Sequence, residues 1–313
     1  MIVKKLTLYK AYDNLTHRVL LDMIRLNDAH KQFVEYLESL GRSSSTLTAY
    51  NKDIEQLMDH LEKDGVTLVS EATLAQIQEF MNKLGNQGFT NKTISRKTNA
   101  TKTFFKFLKD KGHIIQDVAE FLKHPKVEIK QPRILSKVEY RALRDAARDD
   151  VRSYAMIEVL IQTGVTISEL AGMKIEHLSN DTEKGKLFVP DFNNKLHRTI
   201  PLNKAVIEAV TNYLEKERPK QASAMHLFIT KTGRPMLVRN IRSTINRYFK
   251  LAGVENAKVN DIRHTFVAHH LAQGVSIVHL SKIAGHKRLS TTERYLQYIE
   301  KETDSVKTEL GIL

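Results

Sequence analysis

Arg263, His286 and Tyr295 are the residues of this chain whose types could together do phosphoryl chemistry. They stand in Asp-Ile-Arg-His-Thr-Phe, Ala-Gly-His-Lys-Arg-Leu and Ser-Thr-Thr-Glu-Arg-Tyr, with His286 following Arg263 by 23 residues and Tyr295 following His286 by nine. An arginine fork can hold two phosphate oxygens at once. A histidine can donate to the same group and move a proton. A phenol can attack phosphorus and carry the phosphoryl group covalently. Such a set would break and rejoin a DNA strand with no metal and no nucleotide cofactor. A phenol has a pKa near ~10, so attack at neutral pH needs nearby cations and a proton acceptor. Each residue also has an ordinary alternative: a salt bridge to Asp261 or a contact with a helix C-terminus for Arg263, a cap or interior contact for His286, a packed aromatic for Tyr295. Tyr298 lies close by and is the internal control.

The rest of the chain must position these groups. A hydrophobic fraction of 41% over 313 residues supports packed cores and room for two domains. Lys and Arg number 49 against 36 Asp and Glu, a formal net charge of +13. That surplus points to a polyanionic partner, with nucleic acid the first candidate and an anionic membrane surface the weaker one, since no basic amphipathic segment stands out. Charge alone would give non-specific, salt-sensitive binding. Cysteine is absent, which rules out disulfides and thiolate zinc sites. No signal-like or membrane-length apolar run is present, and a cytoplasmic location is the simplest expectation.

The fold class read from the pattern is mainly α with a small antiparallel sheet. Residues 1–25 form an extension without an assignable fold, and 26–113 a helical domain. Phe33, Leu37 and Leu40 share a helical stripe, and Ser43-Ser44-Ser45 starts a second helix with Ile54, Leu57, Met58 and Leu61 inward, ended by Gly65. A third helix is expected from Glu71 to Leu84, stopped by Gly85 and Gly88. A fourth is expected from Asn91 to Lys111, with Phe104, Phe105 and Leu108 inward and Lys92, Arg96, Lys97, Lys102 and Lys106 outward. Residues 114–135 read as a basic linker, because His124-Pro125-Lys126 and Gln131-Pro132-Arg133 disfavour helix. Ser136 and Glu139 then form a capping box that opens a second domain over 136–313. In it, Tyr154 to Ile161 should be a buried helix. Gly185 to Leu202 should hold a hairpin or three-stranded sheet, and helices return over Lys204 to Glu217, Val238 to Leu251 and from Ile262 onward. Ser290 and Glu293 form a second capping box, which places Tyr295 in the first turns of a short helix.

These strings resemble the tyrosine recombinases, the phage-integrase and Xer-like family. The resemblance covers most of the chain. Ser-Ser-Ser-Thr-Leu-Thr-Ala-Tyr-Asn-Lys-Asp-Ile and the Phe-Phe-Lys-Phe-Leu helix are similar to its SAM-like core-binding domain. Thr163 to Leu170, Val259 to Arg263, Ala284 to His286 and Tyr295 are similar to its catalytic domain. The resemblance implies a clamp around duplex DNA and strand exchange through a 3′-phosphotyrosine and a free 5′-hydroxyl. It also implies a homotetramer on two duplexes, with no cofactor and no metal. It makes Tyr295 the nucleophile, Arg263 a phosphate-binding arginine and His286 the second histidine. It further implies a hairpin lysine that protonates the leaving oxygen. Lys195 is the nearest lysine to that place, an ungapped count falls on Asn193, and Lys186 is a weaker candidate. Arg198 is expected to support the hairpin or contact backbone.

Two positions depart from the family pattern. Thr166 stands where the first catalytic arginine falls, and Asn260 where the histidine of His-x-x-Arg falls. Threonine brings no charge, and asparagine cannot relay a proton at neutral pH. Arg288, Arg294, Arg239 and Arg242 are basic residues from which a replacement cation could come. His264 is a frequent companion of the motif arginine and is not expected to take the missing role. The expectation is therefore a site-specific recombinase or integrase. The alternative is a catalytically weak or inactive protein of the same fold that regulates DNA sites by binding them. An accessory protein or a second recombinase is a further possible partner. The last residues, ending in Leu310-Gly311-Ile312-Leu313, are expected to dock on an adjacent protomer or to pack within their own chain.

Overall fold

The computed structural model describes residues 24–128, 130–179, 185–191, 197–220 and 224–297. Expectations for the N-terminal residues before Ile24, for Asn193 and Lys195, for Tyr298 and for the C-terminal tail lie outside them. The chain divides into two compact units between residues 129 and 130. No helix among the described residues is long and apolar enough to cross a membrane.

The first unit contains α1 (Leu26–Ser39), α2 (Ser44–Lys63), α3 (Leu74–Asn86) and α4 (Asn91–Asp110). Each of the last three begins where a hydroxyl can accept from a free backbone N–H: Ser43 from Thr46, Thr73 from Gln76, Thr90 from Thr93. The Thr73–Gln76 capping box starts α3 three residues later than Glu71. Gly85 does not stop it, because buried Leu84 holds that turn in the core; the left-handed residue is Gly88, at φ +80°. Phe33, Phe104, Phe105 and Phe107 fill the centre, with Phe33 and Phe104 edge to face at 5.2 Å. Ile114, Ala119 and Leu122 are buried in the same core.

Lys97 does not face outward. It is 3% exposed, with Nζ 2.8 Å from Asp53 Oδ1 and 2.5 Å from Gln56 Oε1. Arg96 pairs with the same carboxylate. The physical reason is Asp53, itself buried, whose charge demands a partner inside the bundle. Lys102 is also engaged, donating to the carbonyls of Glu120 and Leu122. Lys92 and Lys106 remain exposed on α4.

The second unit contains α5 (Lys137–Ala146), α6 (Val151–Thr163), α7 (Ile167–Gly172), β1 (Leu178–Ser179), β2 (Lys186–Val189), β3 (Arg198–Pro201), α8 (Lys204–Lys216), α9 (Val238–Leu251), α10 (Val259–Ala272), α11 (Ile277–Ala284) and α12 (Ser290–Glu293). Ser136 and Glu139 cap α5 reciprocally, as their spacing predicts. Helix α6 is the hub: Ala155, Met156, Ile157, Val159 and Leu160 are buried, and α5, α7, α8, α9 and α10 pack on it. Gly164 ends it at φ +61°, and a Cβ there would lie 2.3 Å from the Phe266 ring, so the α6 terminus sits directly against α10. The sheet is antiparallel in the order β1-β2-β3, with Leu187 opposite Ile200 and Val189 opposite Arg198. Alternation along β3 turns Arg198 and Ile200 inward and Thr199 outward. An arginine therefore points into the protein.

Candidate active site

Helix α10 carries Asn260, Arg263 and His264; the turns after α11 and α12 carry His286 and Tyr295. Arg263 is buried, at 8% exposure, and its two terminal nitrogens donate to the carbonyls of Gly164 and Ala284. These are the ends of α6 and α11, where carbonyls lack helical partners. The guanidinium ties both helix ends to α10 and keeps further N–H donors. Burial pushes Arg263 below its ordinary pKa; the Glu169 carboxylate opposes this and Arg198 adds to it.

Glu169 and Arg198 form the support. Arg198 donates two parallel hydrogen bonds to the Glu169 carboxylate, at 2.9 and 3.0 Å, and a third from Nε to the Ile283 carbonyl at 2.7 Å. Arg198 thus joins β3 to Glu169 of α7 and to the end of α11. The turn after α11 depends on it. Gly285 has φ +69°, and a Cβ there would lie 2.8 Å from Arg198 Nη1. Only glycine suits both the left-handed backbone and the close approach. Gly285→Ala should destabilise the protein by about 1–3 kcal/mol, as overpacking at a fixed group does. A lowered urea midpoint checks this; an unchanged midpoint would mean that the guanidinium yields freely.

Thr166 is the N-cap of α7. Its hydroxyl accepts from the Glu169 N–H at 3.3 Å, and Glu169 Oε2 accepts from the Thr166 N–H at 2.8 Å. The residue at the expected arginine position thus serves as a helix cap, half of a Thr-x-x-Glu box.

Tyr295 is buried, at 4% exposure, in the turn that follows α12. Ser290 and Glu293 do not form the expected capping box. The chain enters α12 through Leu289 already in helical conformation, so Ser290 lacks the extended backbone that an N-cap needs. The Tyr295 hydroxyl lies 2.5 Å from His264 Nδ1, and His264 Nε2 lies 2.8 Å from the Asn260 side-chain nitrogen. His264 is therefore the imidazole at the phenol, contrary to the expectation of a bystander. Asn260 and His264 sit one turn apart on α10, so the i, i+4 spacing brings them together. This signal was present in the sequence as Asn-Asp-Ile-Arg-His.

His286 hydrogen-bonds Thr292 Oγ1 at 2.7 Å, and its ring lies parallel to that of Tyr295, with centroids 6.5 Å apart. Burial pushes Tyr295 above the ordinary phenol value, with Arg263 and Arg294 pulling the other way. Burial lowers His264, opposed by Asp261 and assisted by Arg263 and Arg294. Both partners are thus neutral near pH 7: a phenol beside an uncharged imidazole.

A cavity of about 320 Å³ opens beside Arg263, lined also by Thr166, Asn260, Arg242, Asn246 and Lys258. Both departures from the family pattern face this one space. Arg239 and Arg288 are exposed outside its lining, Arg294 donates to the Lys130 carbonyl, and Lys186 is exposed on β2. Among the described residues no cluster of His, Asp and Glu could hold a metal.

Residues 133–302 match the description "Phage integrase family", and residues 30–112 match "Phage integrase, N-terminal SAM-like domain". The tyrosine recombinase XerC of Staphylococcus epidermidis is 30% identical over 259 residues, covering 81% of this chain and 86% of that protein. A tyrosine recombinase of Thermosipho africanus is 28% identical over 298 residues, covering 88% and 98%. Among solved structures, a lambda integrase dimer bound to a COC′ core site superposes with a TM-score of 0.71 at 16% identity, covering 96% of this chain and 84% of that one.

Proposed function

The chain belongs to the phage integrase family, and we propose that Tyr295 cuts and rejoins DNA strands beside Arg263, His286 and His264. The protein is a tyrosine site-specific recombinase. Its +13 charge suits a duplex DNA substrate. The observation that carries the assignment of Tyr295 is its buried hydroxyl, 2.5 Å from an imidazole of lowered pKa on the helix that bears Arg263.

The phenol oxygen attacks the scissile phosphorus, forming the P–O bond to Tyr295 and breaking the bond to the 5′ oxygen. The phenol proton passes to His264 Nδ1 in the tautomer that carries its own proton on Nε2. Asn260 governs this transfer. With its amide nitrogen toward Nε2, that atom accepts and Nδ1 carries the proton. With the amide turned over, Nε2 donates to the amide oxygen and Nδ1 is free to act as base. Arg263 neutralises charge on the non-bridging oxygens, and His286 reaches them from the α11 side. Lys195, outside the described residues, is the proposed donor to the leaving 5′ oxygen. A 5′-hydroxyl of a partner strand then attacks the phosphotyrosine and releases Tyr295. Exchange between two duplexes needs four such sites, so the assembly on DNA is a homotetramer, with room for an accessory protein or second recombinase.

Covalent trapping tests this reading. A nicked suicide substrate made from DNA adjoining the gene should give a denaturation-resistant adduct, unaffected by Tyr298→Phe. Its rate should fall with acid only below the ordinary histidine range, as the pH drops through the lowered value of His264, because the neutral imidazole is the active form. Tight, specific binding without an adduct would instead favour a DNA-binding regulator.

A further inference from the structure

Relative to the family pattern, the α7 side of the cavity beside Arg263 brings no cation. The capping role of Thr166 leaves that position uncharged, and the only charge Arg198 could lend is held by Glu169 and the Ile283 carbonyl. A short side chain at 166 also leaves the cavity open where a longer one would fill it. Into this space faces Arg242 of α9, with Asn246 one turn later on the same side. Helix α9 packs directly on α7, which Thr166 caps. Arg242 is exposed and has no hydrogen bond or ion pair among the described residues, unlike Arg247, which pairs with Asp150 and stacks on Tyr248. An unpaired arginine in a cavity that Arg263 and Lys258 also line is placed to bind an anion.

We propose that Arg242 is a catalytic residue: it supplies from α9 the positive charge at the scissile phosphate that Thr166 does not supply from α7. Its guanidinium donates to a non-bridging oxygen opposite Arg263, so that two arginines clamp the phosphate while Tyr295 attacks. Lys258 lines the same cavity from the residue before α10. Its ammonium is a point charge without the fork that fits two phosphate oxygens, so it contributes to the field and does not replace the clamp. The departure at 166 is then a relocation of charge from one helix to its neighbour.

This inference rests on the reading of the cavity as the scissile-phosphate site, and one experiment separates the two. Single-turnover adduct formation on the suicide substrate is measured beside DNA affinity for the wild type, Arg242→Gln, Arg242→Lys, Thr166→Arg and the double variant Thr166→Arg/Arg242→Gln. Arg242→Gln should bind DNA within a few-fold of wild type and form adduct about 10²-fold more slowly, the scale for loss of one preorganised donor. Arg242→Lys should fall between. Thr166→Arg should restore most of the rate in the Arg242→Gln background while gaining little in the wild type. Wild-type rates for Arg242→Gln would overturn the inference and leave the nucleophile assignment intact. Equal rates for Arg242→Lys and Arg242→Gln would also overturn it, and this comparison stands even if Thr166→Arg, which loses its cap, fails to fold. Absence of adduct from every protein, wild type included, would overturn both readings.

Discussion

Tyr295→Phe should abolish the covalent DNA adduct while leaving DNA affinity unchanged. The expected fall in strand cleavage is on the order of 10⁴-fold or more, the scale seen when the nucleophile of a covalent mechanism is removed. The reason is local. The phenyl ring of the variant fills the same buried volume, so the packing of Tyr295 against α10 and α11 survives. Only the hydroxyl is lost, and with it the partner of His264 Nδ1. That loss should cost about 1 kcal/mol of stability, the ordinary net worth of one hydrogen bond. Phenylalanine is the informative replacement because alanine would leave a cavity and confuse unfolding with chemistry, at about 3–5 kcal/mol for a large aromatic. A gel-shift titration, a urea melt and an adduct assay on the same preparation separate the three quantities. An adduct that persists in Tyr295→Phe and vanishes in Tyr298→Phe would move the nucleophile.

Much of this arrangement was legible in the sequence, for reasons that differ by element. Ser43, Ser136 and the apolar stripes of α2 and α6 act within one or two turns, so composition and period reveal them. The capping boxes at Thr73 and Thr166 are also local, and Thr166 to Glu169 could have been read as a cap before it was read as a missing arginine. Ser290 shows the limit of such motifs: the same Ser-x-x-Glu spacing fails where the preceding turn already has helical backbone. Lys97 was hidden because its burial answers Asp53, 44 residues away in sequence. The role of His264 was hidden likewise, since its partner Tyr295 is 31 residues distant and reaches it only through the packing of α11 and α12. What joins Thr166, Arg242 and Asn260 into one cavity is helix packing, which no single-element pattern encodes.

In the proposed reaction Arg263 serves fold and chemistry with one side chain, and its replacement should show both. In Arg263→Ala the carbonyls of Gly164 and Ala284 lose their donors in a buried site. Each group left unsatisfied costs about 1–3 kcal/mol. Cleavage should fall by about 10²–10³-fold or more, since a charged donor to the phosphate disappears as well. Arg263→Lys divides these roles. A lysine can reach one carbonyl or the phosphate as a point charge, but it has no planar fork with which to bridge two helix ends and still face the cavity. It should therefore recover part of the melting midpoint and little of the rate. Added salt would not rescue the rate, because this group is buried and only weakly screened. A lysine variant as fast as wild type would mean that charge alone suffices at this position. The twofold grip on Gly164 and Ala284 would then be scaffolding for the turns that hold His286 and Tyr295, and dispensable for the chemistry.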